Sequence, residues 1–365
     1  MNGDFEYELL DNRQQDTDLR RKLADLYSTP FADVLRWELR DPSLKNHGYY
    51  KLFYYEQSVL KHIIPFKYSA ETSKKIIVFN KGFTISLKDI DQICRILFNE
   101  FKKLQQIIFE RIFVHNPEQL PKMVIENDQN DIIIPLPESM DTYMKSLGKS
   151  TRKQINWMSN RIERDFPGFK VHYFEKSDIS FEKIQELVLL NRNRMKAKGI
   201  KSYNTDEECK LLHQYASTSG FGFLCVNTID DKIVSGTINT VIGEHAYLEV
   251  IAHDDTYNQY SLGKMALVNA TKYLIEEKNI KYYHMLAGAA KYKYLHGGID
   301  YERYAFRIFR NYGLNYLLLK IKVAIRNDYE KYMQKLKDQE FYKKIRNNRN
   351  IYNFFITLRK IKAKF

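Results

Sequence analysis

The stretch KIVSGTINTVIGEHAYLEVIAHDDTYNQYSLGK, residues 232–264, decides the fold of this chain. Its first ten residues are rich in Val, Ile and Thr and predict a strand. The two-residue loop Gly243-Glu244 follows, and a glycine in its first position favours a type II′ hairpin. The returning strand alternates, which predicts two faces. The first face carries His245, Tyr247, Glu249 and Ile251, and the second carries Ala246, Leu248, Val250 and Ala252.

A loop over 253–260 leads into a helix that we expect to begin near Ser261, and a strand over 280–286 follows it. Ser261 is a candidate N-cap, and Gly263 lets backbone approach a ligand closely. The unpaired N–H groups of a first helical turn bind anions, and a phosphate there would relieve the unfavourable position of Lys264. The alternative interpretation is an ordinary capped helix with a solvated lysine.

This order of strand, hairpin, strand, loop, helix and strand resembles the core of the GNAT N-acetyltransferase superfamily. The loop that binds pyrophosphate there reads Arg or Gln, two residues, Gly, one residue, then Gly or Ala. Asn258, Ser261 and Gly263 occupy these positions, and the glycine matches. Residues 260–263 and the later Tyr292-Lys293 look more narrowly like the CelD-like branch of cellulose and exopolysaccharide biosynthesis, which is related to the Fem aminoacyltransferases.

The resemblance implies an acyl-CoA slot between the strands over 245–252 and 280–286. It implies that the backbone of Val250, Ile251 and Ala252 pairs with pantetheine and polarises the thioester. The loop and helix start would hold the pyrophosphate; their candidate residues are Asn258, Gln259, Tyr260, Ser261, Leu262, Gly263 and Lys264.

Acyl transfer needs a nucleophile, a polarised carbonyl and a protonated leaving group. Glu249, on the polar face of its strand, is the first candidate base, and Tyr292 is a candidate acid. His253 and His284 are secondary candidates, and His253 and Lys293 are candidate substrate-binding residues. The alternative is that Glu249 is a carboxylate at the rim without a catalytic role.

The first half repeats the order hairpin, strand, helix and strand between residues 49 and 114. It therefore resembles a degenerate GNAT-like domain, and the fold class predicted is α+β (α/β), with two tandem mixed sheets flanked by helices. Its helix carries Asp89 and Asp91 in the first turns, which would repel pyrophosphate. The boundaries we expect are 1–130, 131–315 and a basic helical extension over 316–365.

A basic helix predicted over 139–166 begins the second half and includes Arg152, a candidate for binding an anionic substrate. Its Gly148-Lys149-Ser150-Thr151 is not a P-loop, because Tyr143 stands where that loop needs its first glycine. The alternative is a solvated helix face. The scattered histidines and three separated cysteines, Cys94, Cys209 and Cys225, predict no metal site.

The cysteines also suggest a reduced, cytoplasmic compartment, and the polar N-terminus does not read as a signal peptide. The net charge of +13 is concentrated in residues 320–365, which hold 14 Lys or Arg against 4 Asp or Glu. Such a tail binds anionic lipid, including the inner face of a membrane, or nucleic acid, or is a solubilising helix.

Three functions follow from these observations. The leading hypothesis is an acyltransferase that uses acetyl-CoA and an amine or hydroxyl acceptor, on a small molecule or on a saccharide of the cell envelope or an exopolysaccharide. The second is a Fem-like aminoacyltransferase that uses aminoacyl-tRNA. The third is a non-enzymatic module that binds a membrane or nucleic acid through the basic tail.

Overall fold

The computed structural model describes residues 5–11, 18–41, 44, 49–69, 74–79, 81–114, 117–118, 120–127, 130–200, 202, 204–219 and 221–338 of the chain. The strands are β1 (Phe5–Asp11), β2 (Tyr50–Glu56), β3 (Val59–Ser69), β4 (Lys75–Val78), β5 (Gln106–Ile112), β6 (Met123–Asn127), β7 (Asp131–Pro135), β8 (Phe169–Glu175), β9 (Gly222–Ile229), β10 (Lys232–Ile242), β11 (His245–His253), β12 (Tyr282–Ala287), β13 (Ile299–Tyr301) and β14 (Tyr304–Phe309).

The helices are α1 (Leu19–Tyr27), α2 (Val34–Arg40), α3 (Leu87–Glu100), α4 (Met140–Ser146), α5 (Lys149–Asp165), α6 (Phe181–Ala197), α7 (Asp206–Ser219), α8 (Leu262–Glu276), α9 (Lys291–Leu295) and α10 (Leu314–Asp338). Together they flank two seven-stranded mixed sheets. This arrangement confirms the predicted α+β class with two tandem sheets.

The first sheet has the order β1-β2-β3-β4-β5-β14-β6, with β4 and β5 parallel. Between these two strands α3 begins after Ser86, whose Oγ accepts the N–H of Asp89 at 3.1 Å. Residues 5–11, although polar, are not helical. Those residues form β1, since β2 offers them an antiparallel edge.

The second sheet has the order β13-β7-β12-β11-β10-β9-β8. The predicted hairpin joins β10 to β11: Ile242 pairs with His245, Gly243 has φ +56°, and Glu244 has no positive φ, as a type II′ turn requires. The single helix expected over 139–166 is two helices, because extended backbone at Leu147 and Gly148 separates α4 from α5.

The last strand, β14, returns to the first sheet and lies between β5 and β6. Phe306 is fully buried there in the core of the first sheet. The chain therefore crosses between the sheets twice, before β7 and after β13. The division at residues 130 and 315 stays a prediction.

The long helix α10 packs against the first sheet at its beginning. Tyr316 and Val323 contact a small core with Val124 and Phe309. The part of the predicted basic tail over 339–365 lies outside the described residues. Among the helices that the structure describes, none has the length and apolarity of a membrane span.

Candidate active site

Strands β11 and β12 lie side by side in parallel and then part. They pair at His245 with Tyr282, at Ala246 with Tyr283 and at Tyr247 with His284. From Leu248 to His253, β11 continues along β10, but the described part of β12 offers it no partner. The predicted parting is therefore present, and its vertex is the Tyr247–His284 pair, whose rings stack with centroids 4.1 Å apart. Beyond the vertex this edge of β11 has no strand partner among the described residues, and the carbonyl of Ile251 accepts from Asn191 Nδ2 at 2.9 Å.

A β-bulge at Glu249 changes the two faces that the alternation predicts. Asn239 pairs with Leu248 and Ile238 with Val250, so Glu249 is the extra residue of β11. Ala246 and Leu248 pack under α8, but Val250 and Ala252 pack in the core against α6 and α7. The expectation of one continuous face for Ala246, Leu248, Val250 and Ala252 is therefore wrong. The extra residue at Glu249 moves every later side chain of β11 to the opposite face of the sheet.

Glu249, the candidate base, is held by Arg36 of α2. The two Nη–Oε distances are 2.6 and 3.0 Å, and the glutamate side chain is 8% exposed. Burial would raise the pKa of Glu249, but the charge and hydrogen bonds of Arg36 outweigh it and hold that pKa below its usual range. A carboxylate paired in this way is a weaker proton acceptor than a free one.

The start of α8 faces the gap with free backbone donors. A 3₁₀ turn over Asp255–Tyr260 precedes it, and Ser261 adopts the left-handed conformation at φ +53° without a side-chain cap. Ser261 thus occupies the predicted N-cap position, but its hydroxyl accepts no N–H group of the first turn. The N–H groups of Leu262 and Gly263 have no acceptor among the described residues, as an anion site requires.

A side chain at position 263 would collide with His253, and it would also block the close approach of a ligand to the backbone. A Cβ at this position would lie 2.6 Å from Nδ1 of His253, which is buried without a partner among the described residues. Burial, and then the charge of Arg194, lower the pKa of His253. The candidate residue His253 is thus a neutral imidazole at the helix start.

Lysines of three helices, α5, α8 and α9, form the cationic side of the site. Lys264 Nζ donates to Gln154 Oε1 at 3.2 Å, which connects the helix start to a cavity of about 710 Å³. Its lining includes Lys153, Trp157 and Lys291.

Arg161 of α5 supports the loop that precedes α8, and Arg152 of the same helix contacts α4. Arg161 donates to the carbonyl of Gln259 at 3.3 Å and stacks on the ring of Tyr260, whose hydroxyl donates to Asp165. Asn258 accepts the N–H of Ser261 through its carbonyl oxygen. Arg152, the candidate for binding an anionic substrate, donates to the carbonyl of Lys145 at 2.9 Å.

Tyr292 and Lys293 lie on the short helix α9. Tyr292 packs against the core under α8, and burial raises its pKa. Lys293 is 5% exposed, and its Nζ donates to the carbonyls of Leu286 and Ala287 at 2.9 and 3.0 Å. Burial lowers the pKa of Lys293 to about 8. Lys293 therefore supports the end of β12 where the strands have parted.

Sequence reasoning missed Arg194 and the pair Asp131–His284. The charge of Arg194 contributes to the lowered pKa of His253 and opposes, without cancelling, the rise that burial causes in the pKa of Tyr292. The Nε of Arg194 is buried without a partner among the described residues. His284 Nδ1 lies 3.0 Å from Asp131 Oδ2. No local motif marks these residues, because their partners are far away in sequence.

Residues 149–294 match the family model described as an acetyltransferase (GNAT) domain. The matched segment runs from the start of α5 into α9 and includes the parted strands and the start of α8. This part of the chain is therefore similar to a GNAT domain. No curated protein matches the sequence.

The likeness to FemX extends beyond the segment that the family model matches. FemX has a TM-score of 0.58 at 12% identity, over 86% of this chain and 100% of that chain. L-PGS from Bacillus licheniformis has a TM-score of 0.49 at 12% identity, over 84% and 96%. A tandem GNAT protein from the clavulanic acid biosynthesis pathway has 0.43 at 9% identity, over 83% and 98%. At these identities the likeness to FemX concerns the fold alone.

Within the described residues no group of three or more His, Cys, Asp or Glu side chains is placed to hold a metal ion.

Proposed function

We propose that this protein is an acyltransferase that takes an acyl group from acyl-CoA and transfers it to an amine or a hydroxyl. The observation that supports this most directly is the parting of β11 and β12 beside the free N–H groups of Leu262 and Gly263. An extended thioester arm fits between the strands, and a diphosphate fits the positive end of α8.

In this proposal the backbone of β11 over 248–252 pairs with the pantetheine arm. The N–H groups at the start of α8 bind the pyrophosphate, and Lys264, Lys153 and Lys291 add positive charge on the side of α5. Arg194, with an unpaired Nε, supplies a further donor near Tyr292 and His253. In this scheme the side chains supply positive charge, and the backbone of β11 fixes the position of the acyl-CoA along the strand.

Tyr292 is the acid in this scheme. Its raised pKa keeps the phenol protonated at neutral pH, so that it can give a proton to the departing thiolate. Glu249, the base that the sequence predicts, is paired with Arg36, and in this proposal it has a structural role. The resemblance to the CelD-like branch suggests an acceptor on a cell-envelope or exopolysaccharide precursor.

Calorimetric titration with acetyl-CoA tests the donor site. Gly263→Glu places a carboxylate at the start of α8 and should weaken binding at least tenfold, because it repels phosphate and displaces His253. Gly313→Glu is the matched control, since Gly313 has no atom within 4 Å of an added Cβ. Circular dichroism checks that both variants fold. Equal affinity in wild type and Gly263→Glu, or no heat from wild type, would contradict the proposal.

An aminoacyl-tRNA donor is the second candidate. The described part of α10 carries Lys320, Lys322 and Arg326 on a helix whose other residues are largely exposed, which suits a phosphate backbone or an anionic membrane. Filter binding of tRNA at 50 and 200 mM salt separates the donors. Steeply salt-dependent binding without affinity for acetyl-CoA would favour the tRNA donor.

A further inference from the structure

A second cavity, of about 810 Å³, lies between the two sheets. Tyr247 and His284, the pair at the vertex of the parted strands, belong to its wall. Tyr282 and Tyr301 also line it and are each 37% exposed, so the cavity communicates with solvent. A molecule in this cavity would lie beside the point where the proposed acyl donor ends.

Three side chains form a hydrogen-bonded chain that ends in this cavity. Asp131 Oδ2 lies 3.0 Å from His284 Nδ1, and His284 Nε2 lies 2.9 Å from His245 Nδ1. Asp131 and His284 are 2% and 4% exposed. The second oxygen of Asp131 is buried without a hydrogen-bond partner among the described residues, so His284 is the partner of this carboxyl group in the chain.

The chemistry of the three groups fixes which atom donates in each hydrogen bond between His245, His284 and Asp131. A carboxylate only accepts, so His284 Nδ1 carries a proton and donates it to Asp131. In neutral His284 the bare Nε2 then accepts from Nδ1–H of His245. In neutral His245 the remaining lone pair is on Nε2, the end of the chain. Burial and the neighbouring His284 lower the pKa of His245 to about 4, so this lone pair is free at neutral pH.

The rest of the wall favours a cationic molecule. Two carboxylates, Asp300 and Glu302, line the cavity together with six aromatic rings, and no Lys or Arg is among its described lining residues. Aromatic faces attract ammonium groups, and carboxylates pair with them. In a protein with a net charge of +13, this wall is locally acidic.

We infer that this cavity binds a primary amine as the acyl acceptor and that Nε2 of His245, supported by His284 and Asp131, removes its proton. This inference rests on the proposed function and specifies its acceptor. The substrate ammonium gives one proton to His245 Nε2. The amine nitrogen then attacks the acyl carbonyl carbon, a C–N bond forms, and the C–S bond breaks. The thiolate leaves with the electron pair and takes a proton from Tyr292, and the second proton that the nitrogen sheds restores the Tyr292 phenol. His245 returns its proton to solvent.

The test uses acetyl-CoA with amines and their hydroxyl analogues, such as glucosamine against glucose and 1,5-diaminopentane against 1,5-pentanediol, and follows released thiol from pH 6 to 10. We expect transfer to amines only. His245→Ala should lose about 100-fold in kcat/KM at pH 7. Its rate should rise about tenfold per pH unit and approach wild type near pH 9, because solvent then supplies the free amine. His172→Ala, on the far strand β8, is the control.

Other groups that face His245 could shape this profile. They are Tyr247, Tyr282 and Glu244 on its own sheet and Tyr27, Tyr304, Asp300 and Glu302 across the cavity. Subtracting the His245→Ala profile from that of wild type isolates the contribution of His245.

Nitrogen-15 NMR of the histidine rings gives a measurement that does not need a donor. Both His245 and His284 should be Nδ1–H tautomers, and 1,5-diaminopentane should shift Nε2 of His245. An Nε2–H tautomer at His245, a preference for the hydroxyl analogues, or a parallel pH profile for wild type and His245→Ala would overturn the inference. If the wild-type protein did not bind acetyl-CoA, that result would instead overturn the proposed function.

Discussion

Arg36 and Glu249, 213 residues apart, join the two halves of the chain through a two-point ion pair in which both side chains are at most 10% exposed. Phe31 and Tyr215 cover the guanidinium, with ring centroids 4.8 and 5.4 Å from Cζ. The pair fixes α2 of the first half on the bulge of β11. Because both groups are buried and paired, the ion pair is a structural link, and loss of either side chain would leave the other charge buried without a partner.

Arg36→Ala should lower the free energy of unfolding by about 3 to 5 kcal/mol, because it leaves the Glu249 carboxylate buried without its partner. Arg40→Ala is the control: Arg40 also joins α2 to the second half, through Glu208, but is 51% exposed. Its loss should cost less than about 1 kcal/mol. Urea unfolding measures both, and equal effects would contradict the structural role.

Glu249→Gln separates catalysis from stability. We expect it to lower stability while changing kcat by less than about tenfold, since a general base contributes roughly 100-fold or more. The carboxylate is already held by Arg36 and accepts from Thr240 Oγ1 at 3.3 Å. Steady-state kinetics below the unfolding transition gives the answer. A 100-fold loss of kcat in a folded variant would restore Glu249 as the base.

Lys293 should make stability depend on alkaline pH. Its pKa is about 8 in the folded chain and near 10.5 when unfolded, so between these values the unfolded state binds more protons. Stability contributed by this group therefore rises from pH 8 to 10.5, and its burial penalty is fully present below pH 8. Lys293→Met should remove that rise. Urea midpoints at pH 7.5, 9 and 10 test it, and identical slopes for both proteins would contradict it.

His296 should weaken the fold in acid. It is 1% exposed, and burial lowers its pKa to about 4, against about 6.5 when unfolded. As pH falls from 6.5 to 4, the unfolded state takes up a proton that the folded state refuses, so stability is lost in that window. His296→Leu should reduce the slope by up to about 1.4 kcal/mol per pH unit. Unfolding at pH 7, 6 and 5 measures it, and an unchanged slope would argue against this assignment.

Local chemistry made part of the structure predictable. The hairpin at Gly243, the cap at Ser86 and most strands follow from turn residues and apolar periodicity, which act between neighbours in sequence. The parting of β11 and β12 came from a resemblance in element order. The bulge at Glu249 left no signal in the alternation, because a bulge exists only relative to a partner strand.

The amino-acid sequence by itself determined the two sheets, the hairpin and the helix that begins beside the gap, since propensity and patterning are properties of short segments. Tertiary structure alone decided that β14 returns to the first sheet, that Arg36 holds Glu249, and that Asp131, His284 and His245 form one chain. Those contacts join residues 39 to 213 positions apart, or strands from opposite halves. Periodicity carries no information at that range, because such partners are chosen by which buried groups can satisfy each other when the sheets pack.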